Sequence, residues 1–132
     1  MTEPTRYRVL VVDDNIDSAQ SMSLLLQLEG HTVDCAHDGV EALQRAAQFR
    51  PQVVLLDLGL PKMNGYDVAR RLREAQAESG GTARALLVAI SGYGREQDRT
   101  AAHEAGFDFH LTKPADPDTV MRLMQEHGPA AA

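Results

Sequence analysis

The chain has 132 residues, 43% of them hydrophobic and 24% charged, with a formal net charge of -6. It is long enough to bury one core without disulfides or a structural metal, and its acidic balance argues against non-specific nucleic-acid binding, which relies on clustered Lys and Arg. With Cys35 as its one cysteine and only short apolar runs, it offers no internal disulfide, no membrane span and no secretory signal, so a reducing, cytoplasmic setting is expected.

The first apolar run, Tyr7–Val12, reads as a strand and ends on two adjacent carboxylates, Asp13 and Asp14. A helix is predicted over 16–29, where Ile16, Ala19, Met22 and Leu26 recur at helical spacing and Gly30 stands where a C-terminal cap belongs. The second strand, Thr32–Ala36, holds Cys35 in an apolar alternation, where it reads as packing rather than as a nucleophile. A helix over 39–48 leads to a third strand, Val53–Leu56, which runs directly into Asp57. Helix 65–77 is followed by a Gly-rich loop, ESGGT, and then by a fourth strand, Ala85–Ile90, that ends at Ser91 and Gly92. Helix 95–105 is polar all round apart from its alanines, so it is expected to pack weakly and to be the element that shifts. A fifth strand, Phe107–Leu111, gives way to Lys113-Pro114. The last helix, 117–127, opens with an N-cap acid and a proline, Asp116-Pro117. The reading is one domain over 1–132, with its core at about 7–127 and a short tail at 128–132.

Five β–α units in succession mean a parallel sheet with helices on both faces. The near-continuous apolar runs VLVV and VVLLD suit strands covered on both sides. In such sheets, ligands bind beyond the carboxyl ends of the strands, where the strand order reverses. For a five-unit chain of order 2-1-3-4-5, that point lies between the first and third strands. Asp13, Asp14 and Asp57 would converge there, and three carboxylates repel one another unless a cation joins them. All-oxygen ligands suit a hard divalent ion such as Mg2+. Taken singly, Asp14 also reads as a cap of the first helix and Asp57 as a turn residue. Ser91 adds a hydroxyl donor and Lys113 a positive charge, and the set together is suited to holding a phosphoryl group. An aspartate can itself accept that group as a nucleophile.

The motifs VVDDN, LLDLGLPKMNGYD, AISGYG and HLTKP, in this order, resemble those of response-regulator receiver domains of two-component signalling, from about Tyr7 to His127. The resemblance implies a flavodoxin-like, doubly wound (βα)5 fold with a five-stranded parallel sheet of order 2-1-3-4-5. It implies that Asp57 is the phosphoacceptor. Asp14 and Asp13 would hold Mg2+ or Mn2+ together with Asp57 and the backbone carbonyl of Gly59. Ser91 matches the switch hydroxyl, Lys113 the lysine that pairs with the phosphoryl group, and Lys113-Pro114 the family's cis peptide. The chain departs from the pattern in two ways. His110 stands where an aromatic switch residue is usual, and it reads either as a rotating, titratable substitute or as an edge-strand residue. Gly59 and Tyr93 stand where the family tunes access of the hydrolytic water, and the direction of their effect stays open.

The implied function is a switch rather than an enzyme, with self-phosphorylation and autodephosphorylation as its only chemistry. The expected donor is a histidine kinase or histidine phosphotransfer protein. The expected target is a separate protein contacted through the 95–127 face, the chain being a monomer or weak homodimer that spans no membrane and binds no nucleic acid. A domain of a hybrid sensor kinase, a stand-alone regulator and a phosphate sink are all compatible with the motifs. A Mg2+-dependent phosphohydrolase is the alternative from another class, although its usual Asp-x-Asp after the first strand is missing. A phosphorylation-independent binding module is the third reading.

Overall fold

Alternating β-branched runs and helical repeats fold in strict β–α order. The structure, a computed structural model, describes residues 5–60, 63–78, 84–92 and 96–129. The elements are β1 (Arg8–Val12), α1 (Ile16–Leu28), β2 (Thr32–Ala36), α2 (Gly39–Phe49), β3 (Val53–Asp57), α3 (Gly65–Glu78), β4 (Leu86–Ser91), α4 (Glu96–Ala105), β5 (Phe109–Thr112) and α5 (Pro117–His127). All strand pairs are parallel and the order is β2-β1-β3-β4-β5, as the sequence predicts. Tyr93, Arg95, most of the ESGGT loop and the end of the GPAAA tail lie outside the described residues. No described helix is long and apolar enough to cross a membrane.

The buried strands carry two cores because successive side chains point to opposite faces. Leu10 and Val12, Val54 and Leu56, and Leu87 and Ala89 face one way, where Val68, Leu72, Ala102 and Phe107 close over them. Val9 and Val11, Val53 and Leu55, and Leu86 and Val88 face the other, under Ala19, Leu26, Val120 and Met124. Cys35 is only partly buried and packs against this second core.

The helix ends follow side-chain chemistry. Asn15, not Asp14, caps α1, its side chain accepting from the Ser18 N–H at 3.0 Å. Asp38 and Asp116 cap α2 and α5 in the same way. After α1 the left-handed Gly30 (φ 98°) lets the His31 N–H reach back to the Leu26 carbonyl at 3.1 Å. Gly106 (φ 108°) does the same after α4, turning the Phe107 N–H onto the Ala102 carbonyl at 3.0 Å. This is why β5 starts at Phe109 rather than Phe107: Phe107 belongs to the helix cap and fills the core beneath α4.

Arg73 of α3 ties this corner together. Its guanidinium donates to the carbonyls of Gly106 (3.0 and 2.8 Å) and Ala85 (2.7 Å) and to Asp108 Oδ2 (2.9 Å). The same Asp108 oxygen accepts from the Leu87 N–H at 2.9 Å.

Candidate functional site

At the carboxyl edge of the sheet, the neighbouring strands β1 and β3 part their chains to opposite sides. Asp13 follows β1 and is fixed there by its own N–H, which extends the ladder to the Ala36 carbonyl of β2 at 3.0 Å. Its Oδ1 accepts from the Asn15 N–H at 2.9 Å as the chain turns into α1. Asp57 is the last residue of β3, and its side chain is only 5% exposed. Asp57 Oδ1 accepts from the Gly59 N–H at 2.9 Å and Oδ2 from Lys113 Nζ at 2.6 Å. Asp57 thus closes the strand rather than lying in a turn, and its Oδ1 holds the turn that follows without competing with a role at the site.

Lys113 reaches Asp57 from the chain just after β5. Its own N–H bonds to the Ser91 carbonyl at 2.7 Å, and its peptide bond to Pro114 is cis. Carboxylate oxygens of Asp13, Asp14 and Asp57 lie within 4.8 Å of one another. Burial pushes the Asp13 carboxyl above its ordinary value. The Asp57 and Asp14 charges add to this, against the Asn15 N–H and Lys113. Burial by itself would lower the Lys113 ammonium, but the hydrogen bond to Asp57 and the charges of Asp57, Asp13 and Asp14 outweigh it and hold it above the ordinary lysine value. Three converging carboxylates faced by one ammonium, with oxygen donors only, fit a hard divalent cation.

Ser91, the last residue of β4, points its hydroxyl at His110 of β5, with Oγ 2.8 Å from Nε2. Burial first, and then Arg99, lower the His110 imidazole below its ordinary value, while Asp98 acts to raise it. Among the described residues, a Cβ at Gly59 would meet only Asp57 Oδ1, at 3.4 Å. The structure thus brings Asp13, Asp14, Asp57, Gly59 and Lys113 together, with Ser91 beside them and His110 one step further out. The hydrogen bond between Ser91 and His110, and the Asp98 charge that acts on the ring, escaped the sequence reading. Asp98 lies in a helix without an apolar stripe, so no local pattern marks which way it faces.

The family described as "Response regulator receiver domain" matches residues 9–125. An uncharacterized 14.6 kDa protein of Leptolyngbya boryana is 37% identical over 90% of this chain and 88% of its own length. The response regulator MprA of Mycobacterium ulcerans is 39% identical over 81% of this chain, which spans only 44% of that longer protein. Among solved structures, a chain of the CheX-CheY-BeF3-Mg2+ complex from Borrelia burgdorferi superposes with a TM-score of 0.79 at 28% identity, covering 89% of this chain and 87% of that one. With the strand order, the acidic crevice and a family match spanning nearly its whole length, the chain belongs to the response regulator receiver domains of two-component signalling.

Proposed function

We propose that the chain is a phosphorylation-dependent switch whose phosphoacceptor is Asp57. One observation carries this reading. Asp57 is a buried carboxylate at a strand end, gripped on one oxygen by Lys113 at 2.6 Å and flanked by two further carboxylates. A carboxylate oxygen of Asp57 attacks the phosphorus of a phosphohistidine on a histidine kinase or histidine phosphotransfer protein. The new P–O bond forms as the P–N bond breaks, and the electron pair returns to the donor's imidazole, which is then protonated.

Asp13, Asp14, Asp57 and the Gly59 carbonyl would hold Mg2+ or Mn2+, which supplies neutralisation of the phosphoryl oxygens. Lys113, released from Asp57 Oδ2, pairs with a phosphoryl oxygen, and Ser91 donates its hydroxyl to another. The added charge, about -1.5 to -2 at neutral pH, changes which contacts hold the 95–127 face. That face then addresses a separate protein in the cytoplasm, the chain acting as a monomer or weak homodimer. The BeF3-Mg2+ complex of the Borrelia protein supports this reading by likeness.

Intact-mass measurement after incubation with acetyl phosphate and Mg2+ tests it, on the wild type and on Asp57→Asn. One phosphoryl adduct is expected in the wild type with Mg2+, and none in the variant or in chelator. An adduct that persists in Asp57→Asn overturns the assignment. Steady turnover of a generic phosphate ester would favour a phosphohydrolase instead.

A further inference from the structure

Two polar atoms are buried without a hydrogen-bond partner among the described residues: Nδ1 of His110 on β5 and Oδ2 of Asp98 in the first turn of α4. Leaving either one unpaired is unfavourable. The Asp98 charge acts on the His110 ring and favours its protonated form. The other ring nitrogen is already engaged, 2.8 Å from Ser91 Oγ. Arg99 and His103 of α4, with Asp108 from the approach to β5, line a crevice of about 350 Å3 that reaches His110. Burial first, and then the Asp98 charge, raise the Tyr66 hydroxyl at the start of α3 above its ordinary value.

We propose that His110 and Asp98 are positioning residues for Ser91: a proton carried by His110 and shared with Asp98 decides whether Ser91 donates its hydroxyl hydrogen into the imidazole or onto a phosphoryl group at Asp57. This rests on the phosphoacceptor reading of Asp57. A neutral imidazole carries one N–H. If that hydrogen is on Nδ1, facing Asp98, then Nε2 can only accept, and the single hydrogen of Ser91 is committed to it. If it is on Nε2, the Nδ1 lone pair faces the carboxylate. The imidazolium suits all three groups: Nδ1–H donates to Asp98, Nε2–H donates to Ser91 Oγ, and the serine hydrogen can turn to a phosphoryl oxygen. One proton enters from solvent through the crevice, and no covalent bond changes other than that N–H. In the unmodified protein, burial and Arg99 disfavour the charged ring, against the Asp98 charge. A phosphoryl group adds negative charge on the far side of Ser91 and favours proton uptake. The new Asp98 hydrogen bond in turn draws α4 onto β5.

The test is a titration of the His110 ring by NMR, in Mg2+ with and without beryllofluoride, on the wild type and Asp98→Asn, with His110→Gln assigning the resonance. The His110 midpoint is expected to rise by about one pH unit on beryllofluoride binding, and by reciprocity beryllofluoride binds about tenfold tighter below the midpoints than above them. Asp98→Asn should lose most of that rise, while its amide resonances away from α4 and β5 stay at their wild-type positions and report an intact fold. A midpoint that stays or falls on binding overturns the proposal, as does a rise that survives in Asp98→Asn. A wild type that binds no beryllofluoride overturns the phosphoacceptor reading itself.

Discussion

Asp13 carries the main electrostatic tension of the site, because burial raises its carboxyl and the Asp57 and Asp14 charges add to the effect. In the metal-free protein its negative charge is therefore unfavourable. Asp13→Asn keeps an oxygen for the Asn15 N–H and removes that charge, so it should raise the melting temperature in chelator by about 2–5 °C. Mg2+ should raise the wild-type melting temperature and leave the variant nearly unmoved. Calorimetry with and without millimolar Mg2+ checks both, and an undiminished Mg2+ response in the variant would place the cation elsewhere. The acids were legible in the sequence because each ends an apolar strand run, a local signature that the switch-point rule converts into a place. His31 was not. It is buried, accepts the Tyr7 N–H on Nδ1 at 3.0 Å and stacks on the Tyr7 ring, a pairing 24 residues apart that nothing near Gly30 announces.

Arg73 shows the same limit at the scale of elements. In the sequence it is one more charge on a polar helix. In the fold its guanidinium holds the α4–β5 corner to α3 and to the start of β4 through the Gly106 and Ala85 carbonyls and Asp108. Periodicity marks a helix and its apolar face, but it cannot mark a side chain whose partners are distant backbone carbonyls. Arg73 is largely buried, so Arg73→Ala takes this donor from both carbonyls and the nearer ion-pair partner from Asp108, and should destabilise the fold by about 2–4 kcal/mol in urea unfolding. Arg73→Lys restores the charge without the fork and should recover only part of the loss. The weak packing expected of α4 is consistent with the structure. Only Ala102 and Ala105 of its described side chains are fully buried, whereas α5 buries Val120 and Met124. Amides of α4 should therefore exchange about 10-fold or more faster than those of α5 in native-state hydrogen exchange. Equal protection of the two helices would argue against α4 as the element that moves.

Across the whole molecule, the ionisable groups set two opposing slopes of stability with pH. Burial holds His31 and His110 below the ordinary histidine value of 6.5. The unfolded chain takes up protons at these positions as pH falls below that value while the folded chain does not, so stability drops towards acid. Asp13 acts in reverse. Its folded value lies above 3.8, so the metal-free fold retains a proton that the unfolded chain has lost, and stability drops as pH rises through that window. In chelator the two trends partly cancel through the weakly acid range. A bound cation requires the carboxylates ionised, so it removes the Asp13 trend and binds more tightly as protons leave. The urea midpoint should accordingly climb more steeply as pH rises from 3.8 in Mg2+ than in chelator. His31→Gln should flatten both curves equally, because His31 sits at the opposite end of β1 from the acids. Identical slopes with and without Mg2+ would mean that the cation and the Asp13 proton do not compete for one site.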